Sequence, residues 1–226
     1  MLKRLIIALL MVAFVFNAAD ARKRSKSKAG EIEDGVYHDK TYEFKLNIPE
    51  DWNCSIKKEK EQVRLVMTKK QYDVPIAFVD NPTFTKIPKI SVFVDTINMP
   101  LNWFVDSLLA EDKIYNSKQK KNILQCCEIL YGDYVPRQNT KMSIGDIEGL
   151  MISGEKKYTI EIPDVYTNYY GGSIFFIKEG NTLVLFHFIC ENLYFQALYP
   201  EFVKIIEGFA FTNKESTETE TEKEKE

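Results

Sequence analysis

Histidine is scarce in this chain: His38 and His187 are the two it has among 226 residues. Cysteine is limited to Cys54, Cys126, Cys127 and Cys190, with no Cys-x-x-Cys spacing, which argues against a structural zinc site. Gly-x-Ser-x-Gly, phosphate-loop and His-Glu-x-x-His motifs are all missing, so no familiar catalytic constellation is announced. A basic excess is missing too. The formal net charge is −3, where a nucleic-acid-binding domain carries a strong positive balance. No apolar run reaches the roughly twenty residues that a membrane-spanning helix needs.

What is present starts with an address. Lys3 and Arg4 precede a twelve-residue apolar core, Leu5 to Phe16, and Ala19-Asp20-Ala21 supplies an A-x-A cleavage site. Met1 to Ala21 therefore reads as a secretory signal peptide, and the mature protein as secreted or periplasmic. No Cys follows the apolar core, so the acylated-lipoprotein route is closed. After cleavage no stable transmembrane segment remains. Residues 22–34 are basic and polar and show no period, which predicts a disordered linker. Residues 213–226 contain only Asn, Lys, Glu, Ser and Thr, a disordered acidic tail. One domain over residues 35–212 lies between them.

The centre of that domain is Ser173 to Phe211. Two apolar runs, Ser173–Ile177 and Thr182–Cys190, are joined by Lys178-Glu179-Gly180-Asn181, a hairpin signal. The second run is apolar on both parities: Leu183, Leu185 and Ile189 one way, Val184, Phe186 and Phe188 the other. Such a strand sits centrally, covered on both sides. Phe195, Leu198, Tyr199, Phe202, Ile205 and Ile206 then recur at helical spacing, with regular helix expected from Pro200. His187 lies inside the central run, so it reads as a core imidazole. It does not serve Cys190 as a base, because residues three apart on a strand face opposite ways.

Tyr42 to Ile48 alternates as a half-buried strand, Pro49-Glu50-Asp51 turns the chain, and Trp52 plugs the sheet end. Asn53–Glu59 and Gln62–Lys69 follow as strands, the latter with Val63, Leu65 and Met67 on one face. Tyr72 to Lys89 is a Pro-punctuated loop or edge strand. Ile90–Ile97 is a strand, and the Leu101, Phe104, Val105, Leu108, Leu109 stripe after Pro100 is a helix. Ile123–Tyr131 is a strand and Gly132–Met142 a loop. Gly149–Ile162 reads as strands with a turn near Gly154-Glu155, and Asp164–Gly172 as a tyrosine-bearing loop.

The pattern Tyr37…Tyr42-x-Phe44-x-Leu46-x-Ile48-Pro49-x-x-Trp52 resembles the opening of the Mog1/PsbP-like superfamily. The later order of strand, helix, hairpin, last helix and Phe209-Ala210-Phe211 is similar as well, over roughly Gly35 to Thr212. The resemblance implies an α+β fold: a single antiparallel β-sheet flanked by helices, an α/β/α sandwich. It implies a non-enzymatic accessory role, and the leader points to the envelope or secreted branch. No cofactor is implied, and no functional residue carries over.

Two residue sets remain. Tyr166, Tyr169 and Tyr170, with Tyr134 and Arg137 from another loop, are candidates for a protein-contact surface, because Tyr and Arg anchor interfaces. Tyrosines that merely cap a sheet with the hydroxyl in water are the alternative. The even number of cysteines permits one or two disulfides in an exported chain. Cys126 and Cys127 point to opposite faces of a strand and so bond to different partners or stay free.

Glu191-Asn192-Leu193-Tyr194-Phe195-Gln196 matches the recognition hexapeptide of a plant-virus protease. Its apolar residues fit the helical stripe, so it belongs to the fold. The function read from the sequence is binding of a protein partner in the envelope or outside the cell. The alternative is a small or lipidic ligand in a groove between helix and sheet. N-terminal sequencing of material exported by its own host is expected to begin at Arg22; a chain starting at Met1 would overturn the assignment of the leader.

Overall fold

The structure, a computed structural model, describes residues 27–72, 88–109, 134–162 and 164–212, with the backbone alone at 134–139, 156, 158–162 and 164–168. The leader, residues 73–87, the expected strand Ile123–Tyr131 with Cys126 and Cys127, and the tail lie outside the described residues.

Among the described residues the chain is α+β, with two antiparallel sheets where one was expected. The larger has seven strands. In spatial order they are β4 (Trp52–Ile56), β5 (Val63–Lys69), β6 (Lys89–Thr96), β10 (Thr182–Glu191), β9 (Asp164–Glu179), β8 (Ile147–Ile162) and β7 (Tyr134–Ile144). The smaller has four: β1 (Gly30–Glu33), β2 (Val36–Asp39), β3 (Phe44–Asn47) and β11 (Phe209–Phe211). Helix α1 (Leu101–Leu109) and helix α2 (Asn192–Glu207) are the described helices.

The two-faced central strand is observed. β10 has three strands on either side, and its residues divide by parity between two cores. Val184, Phe186, Phe188 and Cys190 pack with Phe202, Ile205 and Ile206 of α2 and with Tyr37, Phe44, Leu46 and Phe209 of the small sheet. Leu183 and Leu185 pack with Phe104, Val105 and Leu108 of α1. α2 and the small sheet thus cover one face of the large sheet, and α1 covers the other. The β9–β10 connection is the two-residue turn Gly180-Asn181, and Gly180 supplies the left-handed φ of 55° that a side chain would strain.

Four other expectations are corrected. The linker expected over residues 22–34 gives way to structure from Ser27: the Ala29 amide donates to the Lys57 carbonyl, and β1 begins at Gly30. The segment has no apolar period because backbone pairing and one close approach hold it. A Cβ on Gly30 would lie 2.1 Å from the His38 carbonyl and 2.6 Å from the Tyr37 ring.

Second, the expected loops and the turn at Gly154-Glu155 are three long strands. β8 runs unbroken through Gly154, which pairs with Gly172. Tyr and Thr favour strands and carry the pairing through a stretch whose Gly and Asn content suggested loops. Past Lys156 and Tyr170, β8 and β9 pair only with each other among the described residues.

Third, α2 begins at Asn192 and passes through Pro200 rather than starting there. An interior Pro costs about 3 kcal/mol. Burying Phe202, Ile205 and Ile206 returns about 1.5–3 kcal/mol each, so the helix persists. Phe188 stacks on Phe195 and Phe202, with ring centroids 5.6 and 5.2 Å away, which binds both halves of the helix to one strand.

Fourth, Val63 does not share a face with Leu65 and Met67. Val63 pairs with Phe93 and Leu65 with Val92, so Arg64 is the extra residue of a bulge, and Val63 turns to the α1 side. The bulge aims Arg64 inward, where its side chain is 1% exposed and Asp39 0%. Arg64 Nε donates to Asp39 Oδ2 at 2.7 Å and Nη2 to Oδ1 at 3.2 Å. Nη1 reaches the Glu59 and Glu61 carbonyls at 2.7 and 2.9 Å, and Nη2 reaches Thr41 Oγ1 at 3.1 Å. Asp39 also accepts from the Tyr37 hydroxyl at 2.8 Å and from the Thr41 and Tyr42 amides at 2.9 Å. The pair joins the small sheet to the large one.

Removing one partner of a buried, hydrogen-bonded ion pair leaves the other charge uncompensated. Arg64→Met is therefore expected to lose about 3–5 kcal/mol in urea unfolding. Adding Asp39→Asn, which keeps the acceptor for the Thr41 and Tyr42 amides, is expected to recover at least about 1 kcal/mol of that loss. Additive losses would refute the coupling.

Candidate functional site

The register separates the candidate tyrosines. Tyr134 of β7 lies opposite Lys156 of β8, which lies opposite Tyr170 of β9. Tyr169 lies opposite Lys157. Neighbours on a strand take opposite faces, and their exposure agrees: Tyr169 is 42% exposed and Tyr170 5%. Tyr170 is thus removed from any open surface, and the five residues do not form one patch. Tyr166 lies opposite Ile160 farther out on the same pair of strands. Arg137 is the extra residue of a bulge, between the pairs Pro136–Gly154 and Gln138–Ser153.

Tyr169 shares the α2 face of the sheet with Gly171 and, across the pair, with Lys157 and Glu155. Next to them α2 and the strands enclose a groove of about 310 Å³. Its floor is Ser153, Glu155 and Gly171; its wall is Asn192, Phe195, Gln196 and Tyr199 on the first two turns of α2. Gly171 sets the depth. A Cβ there would lie 2.7 Å from the Phe195 ring, so a larger residue would push the helix or the ring away. Ser153 and Ser173 share a hydrogen bond of 2.7 Å across the floor. Burial pushes the Tyr199 hydroxyl's pKa up. Phe195 and Tyr199, like Asn192 and Gln196, are four apart, so rings and amides line the helix flank in two rows. The groove offers aromatic surface, two amides, a carboxylate and a hydroxyl, chemistry suited to holding a molecule.

Sequence reasoning located Tyr169 and offered a groove between helix and sheet as its alternative, but named none of the residues that line one. The groove's one linear signal is Gly171-Gly172 followed by a helix with paired spacings. Charged residues around Trp52 were missed as well. Lys69 bonds both Asp51 and Glu201, and the Trp52 indole N–H donates to Glu201 at 3.1 Å. Burial works against the Lys69 ammonium, but the bonds to Asp51 and Glu201 outweigh it and raise its pKa. Hydrogen bonding to Lys69 lowers that of Asp51. This cluster ties α2 to β4 and β5.

His187 is fully buried in β10, opposite Ser91 and Ile174. Cys54 and Cys190 stand as free thiols; Cys126 and Cys127, the other two possible disulfide cysteines, lie outside the described residues. With β5 and β6 between their strands, β4 and β10 are about 14 Å apart, beyond the reach of a disulfide. Glu191, the first residue of the protease hexapeptide, is 1% exposed, but Leu193 is 78% exposed, so the apolar residues of that stretch do not all join the buried helical stripe. Among the described residues no three His, Cys, Asp or Glu side chains converge as a metal site. None of the described helices is long and apolar enough to cross a membrane.

No protein-family model matches the chain, and no curated protein is similar to it at a significant level. Among solved structures it is similar to PsbP of the cyanobacterium Synechocystis, with 12% identity and a TM-score of 0.46, over 80% of this chain and 96% of that one. It is similar to a Bacteroides thetaiotaomicron protein at 12% identity and a TM-score of 0.42, spanning 82% of this chain and about half (48%) of that one. LpqN of Mycobacterium tuberculosis, involved in cell envelope biogenesis, is similar at 12% identity and a TM-score of 0.39, over 73% and 79% of the two chains.

Burial pushes the thiol of Cys54 up to about 11 and that of Cys190 to about 12, from an ordinary 9.0. An acid whose folded pKa is raised stabilises the fold fully below its unfolded pKa and loses that contribution as pH rises through the folded one. Stability from these thiols is therefore expected to hold below pH 9 and to fall between 9 and 12. In native protein at pH 8, Cys190 is expected to resist alkylation that goes to completion in denaturant; equal rates would contradict its burial.

Proposed function

We propose that the chain is an exported, non-enzymatic domain that binds a protein partner in the cell envelope or outside the cell. The observation that carries the reading is the half-exposed Tyr169, set on the same face as the α2 groove and opposite the exposed Lys157. An aromatic ring beside a charged stem at the edge of a concave surface is the kind of feature that anchors a partner. Tyr169 is the part of the tyrosine set retained here; the leader at Met1–Ala21 supplies the reason to place the partner outside the cytosol. A partner segment lying along the strands meets Tyr169 and Lys157 first and then the amides of Asn192 and Gln196.

A second reading is favoured by the groove itself. About 310 Å³ is at the lower end of the range for ligand sites, and its mixed lining suits a small molecule with both apolar and hydrogen-bonding parts.

A photo-crosslinking residue placed at Tyr169, in the cells that make the protein, is expected to trap one protein of defined mass. Excess unlabelled domain should compete for it, and Lys157→Glu should weaken it at least about tenfold. The same probe at Glu61, away from the groove, should trap nothing comparable. Equal capture at both positions would defeat the reading. A small bound molecule in native mass spectrometry, without a protein adduct, would favour the second one.

A further inference from the structure

A larger concavity lies on the opposite face of the large sheet, where the start of α1 overhangs β7 and β8. Its volume is about 610 Å³, well inside the range of sites for small organic ligands. Leu101 and Leu150 supply an apolar lining, both packed with the α1 core. Lys141, Lys178 and Glu148 supply the charges. The Lys178 ammonium donates to the Gly180 carbonyl. Among the described residues, neither lysine forms an ion pair with Glu148 or with any other carboxylate.

The charge of this cleft runs against that of the chain. The whole sequence carries −3, yet two ammonium groups with no carboxylate partner among the described residues share this cleft with one carboxylate, a local balance of +1. Unpaired lysines at a concave, partly apolar surface concentrate field where a counter-charge can sit. The lining beneath them offers burial to a chain or ring of carbon atoms but little to a bare inorganic ion. A neutral ligand would use the floor and leave the ammonium groups idle. A large polyanion is disfavoured by the acidic remainder of the surface. The arrangement fits a molecule with both properties.

We propose that the cleft between the first turn of α1 and strands β7–β8 binds a small amphiphile, with its anionic head on Lys141 and Lys178 and its apolar body on Leu101 and Leu150. This site is separate from the α2 groove, being on the other face of the sheet. Carboxylate and phosphate heads share the chemistry, so the head group is a question for experiment. Glu148 sets a sign: it repels the head, and its neutralisation should strengthen binding.

The test uses the purified full chain with dodecanoate, dodecyl phosphate and the neutral dodecyl maltoside, each below its micelle-forming concentration, in calorimetric titration. Binding of one or both anionic probes, at least about tenfold tighter than the neutral one, is expected. Which of the two binds better identifies the head. Lys141→Gln with Lys178→Gln should weaken the anionic probe about tenfold or more, and Glu148→Gln should tighten it about threefold, since each charge acts through a partly solvated gap. Raising the salt concentration should weaken binding to the native chain and leave the double lysine variant nearly unchanged. Gln196→Ala, in the other groove, should change nothing. All the charge substitutions are at surface positions, so folding is kept, as circular dichroism will confirm. Equal affinity for the neutral probe, an unaltered affinity in the double lysine variant, or no binding by any probe overturns the proposal.

Discussion

The buried ion pair of Arg64 and Asp39 is the constraint on which the arrangement of the two sheets rests. A bulge in β5 turns Arg64 from solvent towards the small sheet, and its guanidinium fills with carboxylate, carbonyl and hydroxyl acceptors. Without that link, the small sheet would be held by apolar contact and by the backbone bonds that Ser27 and Ala29, just before β1, make with Glu59 and Lys57. Tyr37, Phe44, Leu46 and Phe209 provide that contact, and the ion pair fixes which way they face. The consequence extends to α2. Its last turn leads directly into β11 of the small sheet, while Glu201 in its middle binds Trp52 and Lys69 of the large one. Helix, small sheet and large sheet are thus tied at three points, and the groove beneath the first turns of α2 takes its width from that frame.

The central hairpin does the opposite kind of work. It carries almost no polar information and separates two cores. Alternate residues of one strand reach α2 or α1, so a change on one parity is felt on one face of the molecule. That insulation lets the two concavities have different chemistry: amides and rings on the α2 face, lysines over an aliphatic floor on the α1 face.

Much of this frame was legible in the sequence. Leu183 to Ile189 betrayed a strand with two buried faces, because no polar residue occupied either parity except His187. The stripe from Phe195 to Ile206 gave the last helix. The strand containing Phe44 and Leu46 was legible too, though not its membership of a separate sheet, since partner choice is a non-local matter that alternation does not encode. Arg64 was hidden for a physical reason: a charged residue in a strand ordinarily faces water. Only the displaced register, which follows from pairing with β6, turns it inward. Pro200 misled because a local backbone cost was visible and the distant packing that offsets it was not. At the site, composition singled out Tyr169 and Tyr170 together. Adjacent positions on a strand part company, so one became surface and the other core. A groove between helix and sheet was foreseen in kind, but its lining was illegible because it is made between elements.

The outer part of β8 and β9 has one further implication. Beyond Lys156 and Tyr170 the two strands run on as a lone ribbon for about 20 Å, without the support of a third strand among the described residues. Tyr169 is the first residue of that stretch, one peptide bond from Tyr170, where β9 still pairs with β10 on its other side. Its backbone is anchored through that neighbour, and an exposed ring on an anchored backbone gives up little chain freedom when another molecule settles on it.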